Sequence, residues 1–397
     1  MRIPFGTITI TDKSKVLVNE ILNSKRLSNG KYVREFEERF AQLIGVNNAV
    51  AVSSGTDALV LALATLYEDK KVKRGDEIIV PALSFVATGN AVLHAGFTPI
   101  FVDVDKKTLN IDIEKIEKKK ITEKTRAILA VHLMGKPADM DSINKLAMKY
   151  NLIVIEDAAE AHGAMYYNKK VGTLGDISAF SLYVAHIIST IEGGIILTKN
   201  EKTAEVLRSL RAHGRACKCQ TCILNVASKS CEKRFLYGTD IRFITERIGY
   251  SSKMNELEAA IGLGNLDLYE EILKKRRNNL MFLLNGIKKF DDCLYSIEEE
   301  SYEKIGPHAL PIILKENAYF LRDDLAKYLN HNEIDTRNLF SSIPTQCDGY
   351  EFLGYHLGDF PNAEYIGNNA IHIGVHQDLK ISDCEYILDT LKNFLKK

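Results

Sequence analysis

The sequence predicts an α/β protein with a large domain on a mixed, mostly parallel seven-stranded sheet, followed by a smaller α+β C-terminal domain. Between about residues 45 and 200, seven short apolar runs rich in β-branched residues alternate with mostly helix-length segments, as expected of strands buried on both faces. After about residue 250 the texture changes to a long amphipathic helical stretch, a strand candidate and a closing helix. The length of 397 residues is more than twice the roughly 150 typical of one domain, which suits two packed units.

The seven runs are Ala49 to Ser53, Glu77 to Pro81, Pro99 to Val104, Ala127 to Leu133, Leu152 to Glu156, Ile177 to Leu182 and Gly194 to Thr198. Residues 1–250 are assigned to the large domain, with a cysteine-rich loop at 214–236, and residues 251–397 to the smaller one. In the latter, Leu257, Ile261, Leu268 and Ile272 trace an apolar stripe, and Leu310 to Leu314 reads as a strand. Ser382 and Glu385 have the spacing of a capping box, with Ile387, Leu388, Leu391, Phe394 and Leu395 as the buried face of the last helix.

Lys+Arg and Asp+Glu both number 52, and no block of like charge stands out. This argues against a generic nucleic-acid or membrane-surface protein, so an anionic ligand must be met by a local site. Neither a signal peptide nor a run of 18 apolar residues is seen, and a cytoplasmic location is expected.

Three segments could carry chemistry. Ser54, Gly55 and Thr56 join a strand to a helical pattern, where free backbone N–H groups and the helix dipole suit a phosphate; the same residues also serve as ordinary caps. Asp157 and Glu160 follow the strand LIVIE, where ligands of open α/β sheets bind. A buried carboxylate there calls for a cation such as a protonated pyridine, or else caps the next helix. Finally, Cys217, Cys219, Cys222 and Cys231, spaced C-x-C-x2-C-x8-C, supply four soft thiolates. Such a set can hold zinc or an iron-sulfur cluster, or remain as reduced thiols. Cys293, Cys347 and Cys384 are read as small apolar residues.

Ordered blocks extend the pattern over nearly the whole chain: LSNGKYVREFEERFA at Leu27 to Ala41, AVSSGTDAL, VPALSFVATGNAVLHAGFTPIFVDVD, GKPADMDSI, EDAAEAHGA, SAFSLYVAHIISTIEGG at Ser178 to Gly194, GYSSKMNELEAAIG and GDFPNAE. In these blocks the chain resembles the DegT/DnrJ/EryC1/StrS sugar aminotransferase family. The resemblance implies the aspartate aminotransferase-like fold (fold type I of the PLP-dependent transferases) and a vitamin B6 cofactor.

One position departs from the family pattern aromatic-x-x-Lys-x-x-x-Thr-x-Glu-Gly-Gly. His186 stands where the aminotransferases have the lysine of their internal Schiff base, and an imidazole cannot form a stable imine with the cofactor aldehyde. The replacement resembles that of a B6-dependent branch, the sugar 3-dehydratases, which use pyridoxamine phosphate to remove the 3-hydroxyl of a 4-keto sugar. Glu160, in place of the usual glutamine, is a feature of the same branch, and His213 matches a histidine near the sugar. Histidine suits the task because its unperturbed pKa near 6.5 lets it act as base and then acid.

The resemblance further implies that Asp157 pairs with the pyridine nitrogen, that Ser181 and the Ser54-Gly55-Thr56 turn hold the phosphate, and that Phe85 stacks on the ring. Glu160 is expected near the ring hydroxyl. The segment Tyr250 to Met254 is expected to reach a neighbouring subunit's cofactor, implying a homodimer, although Ser251 replaces the usual asparagine. One member of the dehydratase branch, acting on a CDP-linked sugar, is an iron-sulfur protein. Its ligands match Cys217, Cys219 and Cys231, while another is matched by Ala159, and Cys222 is the candidate replacement. An iron-sulfur centre would make the protein a candidate for one-electron chemistry with a reductase partner. The readings left by the sequence are a lyase on a nucleotide-linked 4-keto-6-deoxy sugar, an aminotransferase without its lysine, and a non-catalytic metal-binding relative.

Overall fold

The structure, a computed structural model, describes residues 3–118, 121–217, 219 and 230–396. The seven predicted runs form β1 (Asn48–Val52), β2 (Glu77–Pro81), β3 (Thr98–Val102), β4 (Thr125–Val131), β5 (Ile153–Asp157), β8 (Ile177–Ser181) and β9 (Gly194–Thr198). They make one sheet in the order β1-β9-β8-β5-β4-β2-β3. Pairing is parallel from β3 to β8 and antiparallel for β9 against both β8 and β1. The parallel strands run between connections long enough to hold helices, so both faces are covered and the strands are apolar almost throughout.

Alternation along β1 distributes its side chains between two cores. Val50 and Val52 pack with Ala58, Leu61 and other residues of the helix Gly55–Ala64, while Ala49 and Ala51 pack with Phe36 and Phe40 of the helix Lys31–Ile44. The helix Glu256–Asp267 belongs to this second core through Ala259, Ala260 and Leu263. Packing against the large sheet's helices therefore continues past residue 250.

The short strands β6 (Met165–Tyr166), β7 (Lys169–Lys170) and β11 (Glu303–Lys304) form a three-stranded sheet. A four-stranded antiparallel sheet, β10-β12-β14-β13, is built from β10 (Leu294–Tyr295), β12 (Ala309–Leu314), β13 (Thr336–Asn338) and β14 (Ala370–Gly374). Its helical cover includes Tyr269–Ile287 and Ile381–Leu395. The N-terminus is tied to this unit, since Ile3 N–H donates to Glu333 O (2.7 Å) and Asp335 N–H donates to Ile3 O (2.9 Å).

The expected capping box at Ser382 and Glu385 is corrected by the structure. The last helix starts at Ile381, and Asp383 accepts the Lys380 N–H at 2.8 Å. The chain turns helical one residue before Ser382, which moves the third helical position onto the aspartate. No helix among the described residues is long and apolar enough to cross a membrane.

Candidate active site

A cleft of about 400 Å³ opens where β1, β5 and β8 end. The ends of parallel strands are the usual ligand position in such sheets. At the end of β1, Ser54 Oγ accepts the Asp57 N–H (3.0 Å) and starts the helix Gly55–Ala64. The N–H groups of Gly55 and Thr56 lie in the first turn, where no intrahelical acceptor exists. The turn closes tightly on β8: a Cβ at Gly55 would lie 2.8 Å from Ser181 Cβ. Ser54, Gly55, Thr56 and Ser181 all line the cleft.

At the end of β5, Asp157 is buried and accepts hydrogen bonds from Thr88 Oγ1 (2.9 Å) and from the Ala159 N–H (3.2 Å). Burial raises its carboxyl above the usual range, against the lowering effect of those two donors. No lysine or arginine is bonded to it among the described residues, so a cationic ring nitrogen would complete it. Glu160, one turn later, accepts the Met134 N–H at Oε2 (2.8 Å), and its Oε1 lies 3.3 Å from His308 Nε2. Burial, reinforced by Asp157, pushes Glu160 up to about 8, so it is mostly a neutral acid at pH 7.

His186 lies in the connection between β8 and β9. Its backbone N–H donates to Tyr183 O (2.9 Å), the residue is half-buried, and its buried Nδ1 has no hydrogen-bond partner among the described residues. Burial, with His162, Arg276 and Arg337 nearby, lowers it to about 3, so the ring is neutral at pH 7. Phe85, 55% exposed, stands on the wall of the cleft beside Phe340, with ring centroids 5.5 Å apart. No lysine is among the described residues that line the cleft.

The residues present fit a pyridoxamine phosphate. They offer a helix start with hydroxyls for the phosphate, a carboxylate without a cation for the ring nitrogen, a neutral acid beside it and an exposed aromatic face.

The DegT/DnrJ/EryC1/StrS aminotransferase family matches residues 9–392. The chain belongs to this family. It is 33% identical over 395 residues to GDP-4-keto-6-deoxy-D-mannose 3-dehydratase of Escherichia coli O55:H7, covering 98% of this chain and 99% of that protein. It is 35% identical over 393 residues to GDP-perosamine synthase of Escherichia coli O157:H7, covering 99% and 98%. A solved E. coli GDP-4-keto-6-deoxy-D-mannose-3-dehydratase with bound hydrated PLP superposes with a TM-score of 0.86 at 31% identity, covering 98% of this chain and 99% of that one.

Within this family fold, not every expected site residue enters the cleft. His213 is exposed with a left-handed backbone (φ 67°), and its N–H donates to Tyr250 O (2.9 Å). Ser251 is exposed and pairs with Ala212 in an isolated bridge. Neither lines the cleft of this single chain.

Of the cysteines, Cys217 and Cys231 are half-buried and Cys219 is exposed, while Cys222 lies outside the described residues. Desolvation and then the neighbouring Cys217 sulfur raise the Cys219 thiol, with a smaller effect from Cys231. Among the described residues no group of three or more His, Cys, Asp or Glu is arranged to hold a metal.

The sequence reading missed Thr88, His162, His308 and Arg337. Thr88 fixes Asp157, and His162 Nε2 lies 3.1 Å from the carbonyl of Ser181. His308 and Arg337 enter from the four-stranded sheet. Only Thr88 and His162 had a sequence signal, since both fall inside the quoted blocks.

Proposed function

We infer that this protein is a pyridoxamine-phosphate-dependent 3-dehydratase of a nucleotide-linked 4-keto-6-deoxy sugar. The observation that carries the reading is a half-buried, neutral His186 in a cleft whose described lining contains no lysine. The named relatives that act on GDP-linked keto sugars support the substrate class. Bound in the cleft, the cofactor supplies a ring that can hold the electrons of the breaking bond.

The chain's own residues do the rest. Gly55 and Thr56 N–H groups with the Ser54 and Ser181 hydroxyls hold the phosphate, and Asp157 keeps a proton on the ring nitrogen. Glu160 faces the ring hydroxyl and Phe85 covers the ring. His186, neutral before turnover, accepts one proton at a ring nitrogen and returns it to the departing hydroxyl, which leaves as water.

The test is incubation of purified protein and pyridoxamine phosphate with a GDP-4-keto-6-deoxy sugar. Loss of water with release of ammonia supports the reading. A 4-amino sugar as product would favour the aminotransferase, the second reading, for which the similarity to GDP-perosamine synthase speaks. Failure to bind pyridoxamine phosphate would leave the non-catalytic reading.

A homodimer is part of the proposal. Phe235, Leu236, Tyr237, Phe243 and Ile248 are each more than 60% exposed on the segment that carries His213 and Ser251 towards the surface. A second copy would cover them and bring that segment to its own cleft. Sedimentation gives the oligomeric state, and mixing two inactive variants, one changed in His186 and one in His213, tests sharing of the site by regain of activity.

The spacing C-x-C-x2-C-x8-C of Cys217, Cys219, Cys222 and Cys231 is what supports a thiolate centre, in which a bound metal would have to offset the raised Cys219 thiol. Elemental analysis of anaerobically purified protein separates iron from zinc and from free thiols. A reductase partner is proposed only with iron.

A further inference from the structure

We propose that His308 is a positioning residue of this site, holding the ring of His186 in place while its Nε2 ties that ring to the carboxyl of Glu160. The inference rests on the role read for His186 above.

No polar contact orients the His186 ring through Nδ1. Two rings confine it: Tyr183 edge-on at 6.3 Å, and His308 at 5.1 Å with an interplanar angle of 32°. Tyr183 is 40% exposed and His308 only 6%. A buried ring with a second anchor is the firmer of the two. That anchor is Glu160 Oε1 at 3.3 Å, and Glu160 is itself held by the Met134 N–H at Oε2. Phe5 closes another side of His308, edge-on at 6.4 Å. Contact therefore runs from the backbone after β4, through Glu160 and His308, to the ring of His186.

The surrounding charges favour a neutral His308. His186, His372, Arg276 and Arg337 all oppose a proton on it, after burial, and Glu160 is the carboxyl it touches. Glu160 also faces Asp157. Because Oε2 already accepts the Met134 N–H, Oε1 is the oxygen left facing Nε2 at 3.3 Å, and once Glu160 is ionised the Nε2–H tautomer of His308 can donate to it. A donor of this kind favours the ionised carboxyl, so His308 limits how far burial raises Glu160. A neutral His308 also leaves His186 free to take up a proton without a charged ring against it.

Two variants separate the hydrogen bond from the ring. His308→Phe keeps a flat side chain and loses the donor, whereas His308→Gln keeps a nitrogen near the position of Nε2 and loses the ring. In the cofactor-free protein, infrared titration of the Glu160 carboxyl, assigned with Glu160→Gln, should move up by at least half a pH unit in H308F. H308Q should return it to the wild-type midpoint.

In the enzyme supplied with pyridoxamine phosphate, H308Q should lower kcat tenfold or more with KM within twofold, since the ring that confines His186 is gone. An unmoved Glu160 midpoint in H308F, or a wild-type kcat in H308Q, overturns the proposal. The infrared arm needs neither substrate nor cofactor. If wild-type protein performs no dehydration, the function has failed while the tie between His308 and Glu160 is still decided.

Discussion

Glu156 and Asp157 are adjacent on β5 and serve opposite faces of the sheet. Glu156 accepts the N–H groups of Gly172, Leu174 and Gly175 and lies 3.2 Å from His132 Nε2. Asp157 faces the cleft and accepts only from Thr88 and Ala159 among the described residues. The strand's period of two assigns one carboxylate to structure and leaves the other for a ligand.

That difference predicts how the two respond to amidation. Asp157→Asn should lower kcat at least tenfold, about 1.4 kcal/mol of transition-state stabilisation, with little change in substrate KM and in thermal stability. Glu156→Gln should mainly lower the melting temperature, because an amide nitrogen cannot accept from a backbone N–H. Steady-state kinetics and thermal unfolding on both variants check this. A fully active Asp157→Asn would remove it from the site.

His186 predicts how the cofactor is held. Borohydride should fail to fix pyridoxal phosphate covalently to the wild-type chain at the cleft, and His186→Lys should gain a fixed adduct while losing dehydration. Intact-mass spectrometry reads both, and a covalent adduct mapped to the wild-type cleft would contradict the assignment.

Glu160 predicts the pH dependence of stability. Its folded carboxyl lies near 8 and its unfolded one near the ordinary carboxylate value. Between those values the folded chain holds one more proton, so this contribution to stability falls as pH rises towards 8 and is level above it. His162 and His186, lowered to about 4 and about 3, act the other way, since their stability is lost as pH falls below about 6.5. In cofactor-free protein, Glu160→Gln should flatten the alkaline decline and gain roughly 2 kcal/mol near pH 7. Melting curves at pH 6.5 and pH 8.5 test it, and an unchanged slope in the variant would refute it.

Gly55 predicts the phosphate contact. An alanine there would press its Cβ to 2.8 Å from Ser181 Cβ, so either the helix start or the end of β8 must shift. Gly55→Ala should weaken pyridoxamine phosphate binding at least tenfold, about 1.4 kcal/mol, and affect pyridoxamine without its phosphate much less. Calorimetric titration with both ligands distinguishes the cases, and equal weakening would place the phosphate elsewhere.

The seven strands, the turn at Ser54 to Thr56, Asp157 and His186 were legible in the sequence because each depends on a short stretch of chain. A β-branched run makes a buried strand, and a hydroxyl residue before a helix caps it, whatever lies further away. Packing decided the rest. His308 meets Glu160 across 148 residues of chain (308 − 160) because β12 follows directly after it and the four-stranded sheet closes over the cleft. Nothing local in GPHALP announces that contact. His213 and Ser251, matched by motif, lie outside the single chain's cleft because the left-handed turn at His213 and its bond to Tyr250 carry that segment to the surface. The spacing of Ser382 and Glu385 lost to Asp383 because the helix begins where packing sets its first turn. The sequence by itself determined which side chains could do chemistry and on which strands they ride. Only the tertiary structure decided which of them share one buried volume, since that depends on contacts between segments too far apart in the chain to leave a local pattern.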